Sequence, residues 1–245
     1  FDYAEKVFGT SGQAWTVKGQ LVGQGKGGNP YAPDRSNPFP LEAQKNTVSA
    51  QLFGKAATEV GYKPYNLPSA NTSGPYTNPY GAQMGPCNFC GFCSGYVCYM
   101  YSKASPNVNI LPALKPLPNF ELRANAHVLR VNLDSSKTKA TGVTYIDAQG
   151  REIEQPADLV ILGAFQLHNV RLMLLSGIGK PYDPISGEGV VGRNFAYQNM
   201  ATIKAFFDKD THTNNFIGAG GNGVALDDFN ADNFDHGPHG FVGGS

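Results

Sequence analysis

Charge is what this sequence has least of. Only 16% of its 245 residues are Asp, Glu, Lys or Arg, against roughly a quarter in an ordinary soluble domain. The 19 basic residues are matched by 19 acidic ones, so the formal net charge is zero. That balance excludes the basic footprint of a general nucleic-acid binder, and equally an acidic disordered tail. No apolar run approaches the roughly 20 residues of a membrane-spanning helix. There is no charged, apolar start of a secretory signal, no internal repeat and no G-x-S-x-G nucleophile elbow. The chain opens on Phe1-Asp2-Tyr3 without Met and closes on Gly243-Gly244-Ser245. Both ends read as those of a piece of a longer protein.

Glycine and proline are abundant instead. Thirty glycines and seventeen prolines stand beside a hydrophobic share of 41%, enough for a core but in a loop-rich chain. The length allows one large domain or two small ones. Residues 9–45 and 62–86 read as loop. Between them Val48, Leu52, Phe53, Ala56 and Val60 recur at helical spacing, with Asn46 placed to cap and Gly61 to stop the helix. Composition shifts near residue 118. Phe120, Leu122 and Ala124 alternate with polar neighbours, Val128–Val131 continues the strand pattern, and Asp147–Gly150 turns one strand into the next. Leu159–Leu162 is an unbroken apolar run of the kind that is buried on both faces of a parallel sheet. Gly163-Ala164 and a helical pattern from Leu167 to Leu175 follow it, which makes half of a βαβ unit. A further strand is expected around Ile203–Phe207.

All four cysteines lie within twelve residues, at Cys87, Cys90, Cys93 and Cys98. Thiols this close cannot staple distant parts of a fold, which is where disulfides stabilise most. They can converge on one centre, because C-x₂-C-x₂-C is the spacing by which ferredoxin-type loops wrap an iron–sulfur cluster. Gly91 and Gly95 would let the backbone curl, and Phe89, Phe92, Tyr96 and Tyr99 would keep water from the sulfurs. Local disulfides, a structural zinc and free thiols are the other readings of the same spacing.

Two segments match the G-x-G-x-x-G dinucleotide pattern, Gly23–Gly28 and Gly218–Gly223. Such a loop works only between a strand and a helix N-terminus, and Pro30 and Pro33 forbid a helix after the first. Both read as chance matches in a glycine-rich chain. Asp235-His236-Gly-Pro-His239 reads as a solvated turn before it reads as a base or metal site, and His127 and His168 are placed on element surfaces. Asp227-Asp228 reads as a cap or as facing solvent.

The run Leu162-Gly163-Ala164 through Ser176-Gly177-Ile178-Gly179 resembles the second signature of the glucose–methanol–choline (GMC) oxidoreductases, which are FAD-dependent. Gly189-Val-Val-Gly192-Arg-Asn194-Phe resembles that family's V-G-x-N-L segment, and Phe8–Gly12 with the Asn29–Pro40 loop fits its middle region. The cysteine loop resembles the bacterial branch typified by gluconate, glucose and fructose dehydrogenases. Two departures stand out: Leu167-His168 where Ser/Thr-Pro is common, and Tyr197-Gln198 where the family carries Asp-His.

The resemblance implies an α/β fold: a partial FAD-binding, Rossmann-like sheet with β-hairpins and the start of a substrate domain. It implies a loop-rich region over 1–118, part of the FAD-binding domain over 119–200 and a truncated substrate domain over 201–245. Val128 would meet the adenine of FAD, Gly163 and Ala164 would pass close to its ribose and pyrophosphate, and Asn194 would belong to the cofactor-binding set. Cys87, Cys90, Cys93 and Cys98 would hold a 3Fe-4S or 4Fe-4S cluster. The substrate would be a sugar, sugar acid or alcohol, with the catalytic His outside this chain. The partners would be the rest of the flavoprotein, a cytochrome c subunit and a small subunit, on the periplasmic face of a bacterial membrane. A cysteine-cluster module without flavin chemistry is the alternative.

Overall fold

Thr47, not Asn46, starts the long helix near residue 50: its hydroxyl accepts the Ala50 N–H at 3.3 Å. The Asn46 amide donates instead to Asn66, at 2.6 Å. The computed structural model describes residues 1–93, 95–197, 201–213 and 222–239. The chain divides into two compact units, Phe1–Glu121 with Phe206–Ser245, and Leu122–Ala205.

In the first unit, helix α1 (Asp2–Phe8) ends at Gly9, which takes the left-handed conformation that lets its N–H return to Glu5. Helix α2 (Val48–Glu59) buries only Ala57, while Val48, Phe53 and Val60 face solvent. Its packing partner is the two-residue strand Val224–Ala225, itself paired antiparallel with Tyr65–Asn66. So little opposing surface cannot cover the whole apolar stripe. Two short helical turns, Pro106–Asn109 and Leu111–Leu114, and two small antiparallel pairs, Thr16–Val17 with Gln20–Leu21 and Tyr76–Thr77 with Gln83–Met84, add to the regular structure. The interior is unusually polar: Ser11, Ser69, Asn71, Thr72, Asn78 and Ser102 are all buried. Loops leave backbone groups without ladder partners, and buried side chains must then serve them. Ser11 and Gln44 both donate to the Asn71 carbonyl at 2.7 Å, and Asn78 donates to that of Asn109 at 2.8 Å.

The second unit is a meander of β1 (His127–Leu133), β2 (Ala140–Ile146) and β3 (Glu152–Pro156), followed by helix α3 (Gln166–Leu175). The hairpin falls where Asp147–Gly150 placed it. Asp147 accepts the N–H groups of Gln149 and Arg151, each at 2.9 Å, and these bonds with the Arg151 guanidinium hold its carboxyl below the usual range. Val131 and Tyr145 form the buried face of this sheet, with Leu172 of α3 also buried.

Three strand expectations fail. Residues 120–126 are irregular, and β1 begins only at His127. Leu159–Leu162 is irregular too, with Leu159 75% and Ile161 81% exposed. Ile203–Phe207 is irregular, with Ile203 and Phe206 almost fully exposed. In each case no neighbouring strand among the described residues offers a ladder, and apolar patterning alone cannot hold an isolated strand. Mixed α and β structure is present, but among the described residues every paired strand is antiparallel, and parallel contacts are confined to isolated bridges.

Candidate functional site

Where β1 begins, the Val160–Ala164 segment and helix α3 enclose a cavity of about 390 Å³. Val128, Gly163 and Ala164 line it together, and so do His127, His168 and Arg171. Asn194 does not. It stands exposed at φ 58°, beyond the Gly189–Gly192 turn.

The signature residues have specific mechanical tasks. Ser176 donates to the Leu172 carbonyl at 2.6 Å and accepts the Val131 N–H at 2.8 Å, tying the end of α3 to β1. Gly177, at φ 66°, lets the Ile178 N–H reach back to the Met173 carbonyl at 2.9 Å, the six-to-one bond of a Schellman ending. Asn169 brackets the turn at the other end of the helix: it accepts the Ala164 N–H at 2.9 Å and donates to the Leu162 carbonyl at 3.1 Å.

Gly163 is a different kind of glycine. Its φ is not positive, so the backbone does not demand it. A Cβ there would meet no protein atom within 4 Å, so packing does not demand it either. The bare Cα is exposed and leaves room for a ligand to lie against it. In Gly189, by contrast, both reasons are internal: φ is 85° and a Cβ would run into the Pro181 carbonyl.

The cysteine loop lies in the other unit and is closed at its base. Thr72 and Ser102 are fully buried. Thr72 donates through its hydroxyl to the Gly85 carbonyl at 2.6 Å and accepts the Cys87 N–H at 2.8 Å and the Ser102 hydroxyl at 3.1 Å. The Lys103 ammonium reaches into the loop, donating to the carbonyls of Cys93 at 2.5 Å and Tyr96 at 3.2 Å. All four cysteines are free and half-buried. Burial pushes the Cys87 thiol up. Burial pushes the Cys98 thiol up as well, but the N–H groups of Lys103, Ser102 and Met100 outweigh it and hold that thiol below the usual range.

The donor set suits an iron–sulfur cluster in number and chemistry. Its geometry is not that of a closed site, because no three metal-ligating side chains converge among the described residues. The aromatic shield does not form: Phe92, Tyr96 and Tyr99 are 64–66% exposed, since nothing among the described residues packs over them.

A second cavity, of about 490 Å³, lies in the same unit between Trp15, Arg35, Phe39 and Tyr65. Asp227 and Asp228 do not line it, but both are half-buried and hydrogen-bonded, not free in solvent. Asp227 accepts the Tyr65 hydroxyl and the side-chain amides of Asn29 and Asn230, and Asp228 accepts the Tyr31 hydroxyl at 3.0 Å. Burial and the Asp227 charge push the Tyr65 hydroxyl up to about 12. Gly23–Gly25 is a single 3₁₀ turn with no helix after it, and Gly218–Gly221 lies outside the described residues. His236 packs edge-on against Phe234 at 5.2 Å, and the side chain of His239 lies outside the described set.

Sequence reasoning missed Asn169, Ser176, Thr72, Ser102 and Tyr65. Only Ser176 carried a readable signal, as the residue before the glycine that ends an apolar helix.

The family model described as GMC oxidoreductase matches residues 40–200. A gluconate 2-dehydrogenase flavoprotein from Pantoea cypripedii is 77% identical over all 245 residues, which are 40% of that protein's length. A paromamine 6'-oxidase from Streptomyces fradiae is 28% identical over 169 residues, 68% of this chain and 30% of that protein. The chain thus spans less than half the length of these relatives.

Proposed function

Because this chain belongs to the GMC oxidoreductase family, we propose that it is part of an FAD-dependent dehydrogenase oxidising a CH–OH group. Gluconate or a related sugar acid is the substrate class, by similarity to the Pantoea flavoprotein. The observation that carries the reading is the cavity at Val128, Gly163 and Ala164, together with a glycine that neither strain nor packing explains.

A volume of about 390 Å³ is at the small end of ligand pockets and suits the adenosine half of the cofactor. Val128 supplies an apolar wall, and the exposed Gly163 backbone allows close approach. Ser176 at the end of α3, bonded to β1, and Asn169 in its first turn, bonded to the Leu162–Ala164 turn, hold these walls in register. Asn194 is assigned to the cofactor through the family segment alone. When bound, FAD supplies the hydride acceptor, which no side chain can replace.

Cys87, Cys90, Cys93 and Cys98 are proposed as ligands of an iron–sulfur cluster, which supplies one-electron transfer toward a cytochrome c subunit. Metal binding and loop closure would then be one event, since preformed sites are rare before the metal arrives. The remaining assignments follow the same branch of the family: the rest of the flavoprotein and a small subunit as partners, the periplasmic face of the membrane as location, a FAD-binding region over 119–200 and a substrate region beginning near 201. No helix among the described residues is long and apolar enough to cross a membrane.

The test is an absorbance spectrum of the full-length flavoprotein, recorded without oxygen before and after gluconate. Flavin bands that bleach with gluconate, over a broad iron–sulfur background, are expected. A protein carrying iron but no flavin would replace this reading with that of a simple electron-transfer module.

A further inference from the structure

Asn169 spends its whole side-chain amide on the turn that lines the cavity. The oxygen accepts from Ala164 and the nitrogen donates to Leu162, one residue on either side of Gly163. Its backbone N–H donates to the Phe165 carbonyl at 2.8 Å. Phe165, the residue before α3, has φ 67° and ψ 157° and gives the helix no side-chain cap. That region of backbone space belongs almost wholly to glycine, so a phenylalanine stays there only when its surroundings impose it. Its ring is 68% exposed, so packing does not impose it. The asparagine bracket does.

The Gly163 N–H and carbonyl have no hydrogen-bond partner among the described residues. The clamp therefore satisfies the backbone on both sides of Gly163 and leaves Gly163 open to the cavity it lines.

We propose that Asn169 is a positioning residue for the cofactor, clamping the Leu162–Phe165 turn so that the bare Gly163 backbone meets the adenosine half of FAD. The inference rests on the flavin reading above, and goes beyond it by assigning a task to a side chain that does not itself line the cavity. Leucine at 169 removes both bonds. Aspartate keeps the acceptor for Ala164 but sets an oxygen against the Leu162 carbonyl. Serine keeps a single short hydroxyl that can serve one of the two.

The experiment measures FAD affinity by flavin fluorescence on the apo form of the full-length flavoprotein, for Asn169→Leu, Asn169→Asp, Asn169→Ser and Gly163→Val. The melting temperature of each apo protein is recorded alongside. Asn169→Leu and Asn169→Asp are expected to weaken FAD binding about tenfold, the effect of losing one good hydrogen bond's worth of positioning. Asn169→Ser is expected to recover part of the loss, and KM for gluconate at saturating FAD should stay unchanged. Where the leucine variant does not fold, the serine and aspartate pair decides. If Gly163→Val weakens FAD while every Asn169 variant binds it as the parent does, Asn169 is merely structural and the inference is overturned. If Gly163→Val leaves FAD affinity untouched, the cavity does not hold the cofactor, and the flavin assignment of this site fails first.

Discussion

The Ser176 hydroxyl accepts the Val131 N–H at 2.8 Å, joining the last turn of a helix to the middle of a strand 45 residues earlier in the chain. The same hydroxyl donates to Leu172, the one buried residue of that helix. One side chain thus fixes how the helix lies on the sheet, and with it the walls of the cavity at Val128 and Gly163. Ser176→Ala should destabilise the unit by about 1–2 kcal/mol, because a strand N–H loses its partner. Chemical denaturation of the full-length apo protein measures it, and Ser176→Thr should recover most of the loss.

Gly189 makes a sharper case. At φ 85°, with the Pro181 carbonyl where a Cβ would stand, it has no room for alanine. Gly189→Ala should cost more than the roughly 1 kcal/mol of an ordinary glycine substitution, read as a lowered denaturation midpoint. Gly163→Ala in the same assay should leave the midpoint unchanged, since neither its φ nor its neighbours object.

At the base of the cysteine loop, Thr72 and Ser102 satisfy each other with no exposure to water. Thr72→Val leaves the buried Gly85 carbonyl without its donor, while Ser102 keeps its bond to the residue-72 carbonyl, at about 1–3 kcal/mol. The loop should then open. Faster alkylation of Cys87 and Cys98 than in the parent protein is the expected readout, followed by mass spectrometry.

Changing any of Cys87, Cys90 and Cys93 to serine should lower the iron content of the full-length protein while leaving its flavin in place. The two sites belong to different compact units, so the losses should separate. Iron and flavin assays on each variant check this.

Tyr65 gives a pH signature. Its hydroxyl is pushed up to about 12 by burial first and the Asp227 charge second. The folded protein therefore holds this proton more tightly than the unfolded chain, whose tyrosines ionise near 10. The contribution is complete below pH 10 and is lost as pH rises from about 10 to about 12. In that window the parent should lose stability more steeply than Tyr65→Phe, which has no proton to lose.

Much of this was written locally and therefore readable. The α2 helix, the Asp147–Gly150 hairpin and the Gln166–Leu175 helix rest on periodicity and turn chemistry within a few residues. Leu159–Leu162 has the composition of a strand between two others, but composition cannot supply neighbours, and without them the segment is irregular and exposed. The same logic separates Val128 and Gly163, which a strand and a turn bring to one cavity, from Asn194, which the structure leaves outside it. Thr72, Tyr65 and Asp227 were illegible for another reason. Their partners lie 30 to 162 residues away, and single Thr, Tyr and Asp residues in loops carry no pattern.

The central claim is that FAD lies against Gly163. A structure of the full-length flavoprotein with FAD bound tests it most directly. The account predicts the adenosine half in van der Waals contact with the Gly163 Cα and with Val128. FAD bound elsewhere, with that contact absent, would contradict it.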